Sequence, residues 1–203
     1  MISCVCPTMA SRRKWLEKAI DCFFEQDWEE KELIVVADYP NPFDLPDITW
    51  TVMYPTTGPM ASIGYKRNLG AERANGETLL SWDDDDFSAP NRITDQVNRL
   101  IETGKSVTGY HSLEFVNEAG RRWLYKGDTG HAADTSLCYR KSFWGKHPFD
   151  HINDGAELEF KFAAIREGQF ISVPGTGMMT ASIHSGNTTA RVMTPGNTTW
   201  VEL

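Results

Sequence analysis

IGYKRNLGAERANGETLLSWDDDDFSAPNRI, residues 63–93, decides the fold. Tyr65 to Ala74 reads as a helix closed by Asn75-Gly76, and Thr78 to Trp82 as a short buried strand. The strand stops at four consecutive aspartates, Asp83 to Asp86. Beyond them Ile93, Val97, Leu100 and Ile101 recur at helical spacing, and Gly104 closes that helix. Helix, apolar strand and helix in succession predict a parallel sheet covered by helices.

The flanks extend the pattern. Ile2 to Cys6 is an apolar strand ending at Pro7. Ser11 is placed to cap a helix with Leu16, Ala19, Ile20 and Phe23 on its buried face. Leu33 to Ala37 forms a second apolar run, ended by Asp38. Pro40, Pro42 and Pro46 mark a loop before a third strand at Thr49 to Tyr54. After Gly104 the texture changes. Val107 to Val116 and Arg122 to Tyr125 read as strands about the turn Asn117-Glu118-Ala119-Gly120, and Thr135 to Tyr139 as another. Gly155 to Glu167 reads as a helix with Leu158, Phe162 and Ile165 on one stripe, followed by a strand at Phe170 to Val173. The Gly-, Ser- and Thr-rich tail from Pro174 reads as loop. One α/β domain over 1–203 accommodates both textures in a mixed sheet, with a Rossmann-like half at 1–104 and a half with antiparallel strands at 105–203.

Composition narrows the function classes. The 203 residues are 40% hydrophobic and 24% charged, as expected for one globular domain without disulfide staples. No apolar run is long enough for a membrane span, and the start has no leader pattern. Cys4, Cys6, Cys22 and Cys138 form no CxxC pair and read as buried free thiols of a cytoplasmic protein. The net charge of −8 argues against broad attraction to nucleic acid or anionic lipid.

Chemistry concentrates where strands end. In open α/β sheets, ligands bind beyond the carboxyl ends of the strands, and three of those ends are polar: Pro7-Thr8, Asp38 and Asp83 to Asp86. Adjacent carboxylates resist full ionisation unless a cation neutralises them. Oxygen ligands select hard divalent ions such as Mn2+ or Mg2+, commonly together with phosphate oxygens. No glycine-rich phosphate loop is present, so Lys66 and Arg67 at the start of the preceding helix are the basic alternative. His147 and His151 are four apart, but Pro148 breaks a helix that would present both, which excludes a zinc site there. Trp123, Tyr125, Tyr139 and Trp144 are candidates for an aromatic acceptor platform.

The stretch quoted first resembles the centre of family 2 glycosyltransferases, which have the GT-A fold. Arg67-Asn68-Leu69-Gly70 and Asp83 to Asp86 match an Arg-Asn-x-Gly helix and an Asp-x-Asp-Asp motif, and Ile2 to Pro40 resembles the first nucleotide-binding unit. The resemblance implies a nucleotide diphosphate sugar donor held by Pro7, Thr8, Asp38, Lys66, Arg67, Asn68, Asp83 and Asp84. It implies a metal on Asp83, Asp85 and Asp86, with the late His184 completing its shell. The family's late Glu-Asp pair falls on Ala156-Glu157, which makes Glu157 the expected general base and Asp154 its substitute. Transfer would invert the anomeric centre of the sugar. The acceptor is then a hydroxyl on a glycan, a lipid-linked sugar or a protein; nucleic acid is disfavoured, a modified viral DNA base being its conceivable form. Two rivals share the fold: a sugar-phosphate nucleotidyltransferase, whose Gly-rich loop after strand one is absent here, and a non-catalytic carbohydrate-binding protein, which Ala156 keeps in view.

Overall fold

A computed structural model describes residues 1–43, 45, 47–53, 61–187 and 199–203. The first strand, β1 (Ile2–Pro7), lies between two parallel neighbours, β2 (Lys31–Ala37) and β4 (Thr78–Ser81). The parallel strand β3 (Ile48–Val52) closes that edge. The expected end of this strand at Tyr54, and Pro46 of the preceding loop, lie outside the described residues.

Helices cover both faces because β-strand side chains alternate. Cys4 and Cys6 of β1 point to one face and join Leu16, Ala19, Ile20 and Phe23 of α1 (Arg13–Phe24) and Ile93, Val97 and Leu100 of α3 (Arg92–Thr103). Val5 points the other way, toward Ala71 of α2 (Ile63–Arg73) and Phe160, Ala163 and Ala164 of α5 (Leu158–Arg166). A Cβ at Gly70 would stand 2.3 Å from Val5 Cγ1, so only glycine lets α2 lie this close to the sheet. All four cysteines are buried and free.

Beyond β4 the sheet becomes mixed. β8 (Cys138–Arg140) pairs antiparallel with β4 and with the long β6 (Val107–Asn117). β6 also takes β7 (Arg122–Lys126) antiparallel and β9 (Phe170–Pro174) parallel.

Several expected boundaries shift. The turn Ala10–Arg12 precedes α1, so the helix starts after Ser11. α2 starts two residues before Tyr65 because the Ser62 side chain caps it, accepting from the Tyr65 N–H at 3.2 Å. The stretch expected as a strand from Thr135 opens with a helical turn at Asp134–Ser136 and is extended only from Cys138. The tail is not all loop: β10 (Met179–Ile183) pairs with β6 and with the two-residue β5 (Phe87–Ser88), and β11 (Trp200–Glu202) pairs with β7. A short α4 (Lys141–Trp144) was not foreseen. The predicted stripe of α5 is inverted: Leu158, Phe162 and Ile165 are exposed, and Phe160, Ala163 and Ala164 are buried. Among the described residues no helix is long and apolar enough to cross a membrane.

Candidate active site

A cavity of about 140 Å3 opens beyond the ends of β1 and β4, where the chain leaves β1 for neighbours on both sides. Such a switch point is where an open α/β sheet presents a ligand crevice. Pro7 and Thr8 line it from β1, Lys66 and Arg67 from α2, and Asp83 to Asp86 from the end of β4.

The four aspartates diverge. Ligand oxygens of Asp83, Asp85 and Asp86 lie within 4.8 Å of one another. Asp84 turns toward β1, accepting from Thr8 Oγ1 at 2.6 Å and from Arg12 Nε at 2.9 and 3.0 Å. Burial pushes the Asp84 carboxyl up to about 6, against the opposing pull of Arg12. Asp86 is raised well above the ordinary carboxylate range, first by burial and then by repulsion from Asp85 and Asp83. Asp83 goes the other way: burial opposes its charge, but Arg67 beside it holds the carboxyl low. Three converging oxygen donors, one of them strained by like charge, fit a hard divalent cation.

Two arginines brace this cluster. Arg67 is buried, reaches Asp83 at 2.7 Å through Nη2, and pairs through Nη1 with the buried Glu157. Arg12 Nη2 meets Asp84 at 2.6 Å and Asp85 at 2.5 Å, while Nη1 donates to the Gly186 carbonyl at 2.7 Å. Lys66 donates to the Thr8 carbonyl at 2.6 Å, and burial lowers its ammonium pKa despite nearby Asp38 and Asp84.

The other expected residues are dispersed. Glu157 does not line the cavity, whereas Asp154 does. Gly155 follows Asp154 at φ 75°, a left-handed conformation suited to glycine, and makes the turn into α5. Asp38 stands outside the lining and accepts from the Ala10 N–H at 2.8 Å. Asn68 also faces away: its amide binds Phe149 N and O and Trp144 Nε1, fastening residues 144–149 to α2. His184 stands behind Asp85, with Nε2 2.9 Å from Oδ2, and stacks on Trp15 at 4.0 Å. Its Nδ1 accepts from the Gly186 N–H at 3.0 Å, so the neutral ring carries its proton on Nε2 and donates to Asp85. Of the four aromatic candidates, Tyr139 and Trp144 pack in or against the core beneath α2 and α5.

Arg12, Thr135 and Asn187 were not anticipated. Thr135 Oγ1 donates to Asp86 at 2.5 Å, and Asn187 Nδ2 to Asp85 at 3.1 Å. A cation five residues past the end of β1 is the sequence signal that could have revealed Arg12; Thr135 and Asn187 carry none.

The sequence pattern described as Glycosyl transferase family 2 matches residues 62–156. Curated proteins yield no match. Among solved structures, S. aureus TarS 1-349 in complex with UDP-GlcNAc superposes with a TM-score of 0.73 at 17% identity, over 96% of this chain and 62% of that one. S. aureus TarS 1-349 in complex with UDP gives 0.70 at 16% identity, over 90% and 60%. Longer S. aureus TarS gives 0.68 at 16% identity, over 90% of this chain and 36% of that one. The chain therefore spans about 60% of the length of TarS 1-349, and the likeness establishes the GT-A fold.

Proposed function

We propose that this GT-A chain, whose residues 62–156 match the glycosyl transferase family 2 pattern, moves a sugar from a nucleotide diphosphate donor to an acceptor hydroxyl with inversion. One observation carries the reading: three carboxylates converge at the sheet's switch point, beside Lys66 and Arg67. A nucleotide diphosphate with a divalent cation matches that charge pattern, and the solved relatives hold UDP or UDP-GlcNAc in complex. Residues 1–104 would then serve the donor and 105–203 the acceptor.

Asp83, Asp85 and Asp86 would hold Mn2+ or Mg2+, which when bound neutralises charge on the departing diphosphate. Arg67 and Glu157 keep Asp83 fixed, and Arg12, His184 and Asn187 do the same for Asp85. Lys66 adds positive charge at the end of β1. Glu157 lies outside the cavity lining and Asp154 within it, so Asp154 is the carboxylate placed toward an acceptor. Asp154 takes the acceptor hydroxyl proton as that oxygen bonds to the anomeric carbon. The anomeric carbon–oxygen bond breaks on the opposite side, and its electron pair leaves with the diphosphate. Asp154 also supplies the cavity carboxylate that Ala156 lacks.

The decisive experiment is calorimetric titration of the purified chain with UDP, with and without Mn2+, followed by mass detection of products from UDP-GlcNAc. Mn2+-dependent UDP binding is expected. Absence of UDP binding in the presence of Mn2+ would overturn the donor assignment.

A further inference from the structure

The segment 149–153 runs along the first turns of α2 in antiparallel order. Asn68 holds Phe149 with both ends of its side-chain amide, donating to the carbonyl at 2.8 Å and accepting from the N–H at 3.0 Å. Three residues earlier on the helix, the Tyr65 ring meets His151 edge-on at 5.1 Å. The Gly64 N–H donates to the Ile152 carbonyl at 3.2 Å, and the Ile63 N–H to Asn153 Oδ1 at 3.0 Å. Asp154 comes next in the chain, and both it and Ile63 line the cavity.

The approach is close enough to dictate a residue. A Cβ on Gly64 would overlap the Asp150 carbonyl oxygen and stand 2.9 Å from Ala156 Cβ, so only glycine lets the segment lie against the helix. The segment also closes on itself, the Asp150 N–H donating to the Ala156 carbonyl at 3.0 Å. Helix capping alone does not account for Asn153. Ser62 already caps α2 from its own end, whereas Asn153 reaches it from 90 residues away. The same helix also grips the other half of the site. Arg67 meets Asp83 at 2.7 Å, and Lys66 donates to the Thr8 carbonyl at 2.6 Å.

We propose that the first turns of α2 are a strut that sets the distance between the acidic cluster and Asp154, with Gly64 and Asn153 as its positioning residues. The proposal rests on the transferase reading above. Two groups that must meet one substrate come from the ends of different elements, Asp83 from β4 and Asp154 from the loop before α5. Rigid placement of such groups matters because a displacement of about 1 Å can cost on the order of a hundredfold in rate. A helix is stiff along its axis, and Ile63 to Asn68 supplies about 7.5 Å of it. Asn153 and Gly64 fasten one end of the loop to that rod, and Asn68 fastens the other. Asn153 presents a neutral acceptor, so the tether adds no second carboxylate beside Asp154. Ala156, fully buried, leaves room for the same close approach.

The test uses the full chain with Mn2+ and UDP. Paramagnetic broadening of the Asp154 amide proton in NMR reports its distance from the cluster. Turnover is read as UDP released from a panel of UDP-sugars with water as acceptor. The water oxygen bonds to the anomeric carbon, Asp154 takes its proton, and the diphosphate leaves with the electron pair of the broken bond. Gly64→Ala and Asn153→Ala should each change the broadening at Asp154 and cut turnover about tenfold or more, with UDP affinity retained. Asn153→Asp keeps an oxygen for the Ile63 N–H and should restore both readouts. Alanine favours a helix over glycine, so a loss in Gly64→Ala does not come from a weaker α2. Thermal melting identifies a variant that fails to fold, and the exposed Asn153 then carries the comparison. Parent-like turnover in both alanine variants, or lost turnover with unchanged broadening, overturns the strut. A parent chain without Mn2+-dependent UDP binding, or without UDP release from every donor, refutes the transferase reading instead. Amide exchange at Ile63 then still decides whether the helix holds the loop: slow in the parent and Asn153→Asp, fast in Asn153→Ala, with equal rates in all three overturning it.

Discussion

Arg12 and Asp85 meet at 2.5 Å, on the carboxylate that His184 contacts at 2.9 Å. The same guanidinium holds Asp84, so one side chain satisfies two consecutive buried acids. Arg12→Ala strands both charges. A loss of about 3–5 kcal/mol is expected, the cost of breaking a buried pair. Thermal melting reads this as a drop of about 2–4 °C for each kcal/mol. Arg12→Lys should fall between, because an ammonium cannot reproduce the fork. A parent-like melting point in Arg12→Ala would remove Arg12 as a brace.

The acidic run should divide three to one. Asp83→Asn, Asp85→Asn and Asp86→Asn each remove an oxygen donor from the cluster, and Mn2+-dependent UDP affinity should drop at least about tenfold. Asp84→Asn lies outside it and should act mainly on stability, through Thr8 and Arg12. Equal effects of all four on metal-dependent binding would contradict this division.

The proposed mechanism assigns proton transfer to Asp154 and the support of Arg67 to Glu157. Asp154→Asn should cut turnover about 10²–10⁴-fold with UDP affinity retained. Glu157→Gln leaves Arg67 with a neutral partner and should lower the melting point first. A Glu157→Gln enzyme that folds like the parent, binds UDP like the parent and yet turns over a hundredfold more slowly would return the base to Glu157.

Glu32 supplies a pH-dependent prediction remote from the cavity. It accepts from Ser3 Oγ at 2.6 Å and from Asn75 N and Nδ2 at 2.7 and 2.9 Å, tying β2 to β1 and to the turn after α2. Burial opposes its charge, but these donors outweigh burial and hold its pKa below the ordinary value. A depressed folded-state pKa stabilises above the unfolded value, about 4.3, and the contribution is lost as pH falls through the folded value. Glu32→Gln should therefore cost on the order of 1 kcal/mol at pH 7. Urea melts of the two proteins should converge as the pH is lowered below about 4. A gap that persists at pH 3 would count against it.

The first half of the fold, residues 1–104, was legible because its signals are local. The runs Ile2–Cys6 and Leu33–Ala37 are buried at every position and apolar at all but Ser3, as strands covered on both faces are. The second half was less so. Met179–Ile183 becomes a strand through pairing with β6, a partner over sixty residues away that composition does not announce. Leu158, Phe162 and Ile165 have the spacing of a buried face, yet α5 presents the flatter Phe160, Ala163 and Ala164 to the sheet. At the site, the acidic run was legible as a cluster, but not its division. Which oxygen faces inward depends on Arg12 and Thr135, and those contacts exist only after the chain has closed.

The bond from Arg12 to the Gly186 carbonyl joins residues 174 apart in sequence. Few contacts ask more of a folding search, since loop closure precedes its reward. During synthesis, the first strand and helix emerge long before residues 184–187 exist to complete the frame around Asp85. A partly made chain can thus pair β1 with β2 while its acidic centre still lacks one wall. A complete frame around Asp85 then waits for residues 184–187 and is not a property of residues 1–104 alone.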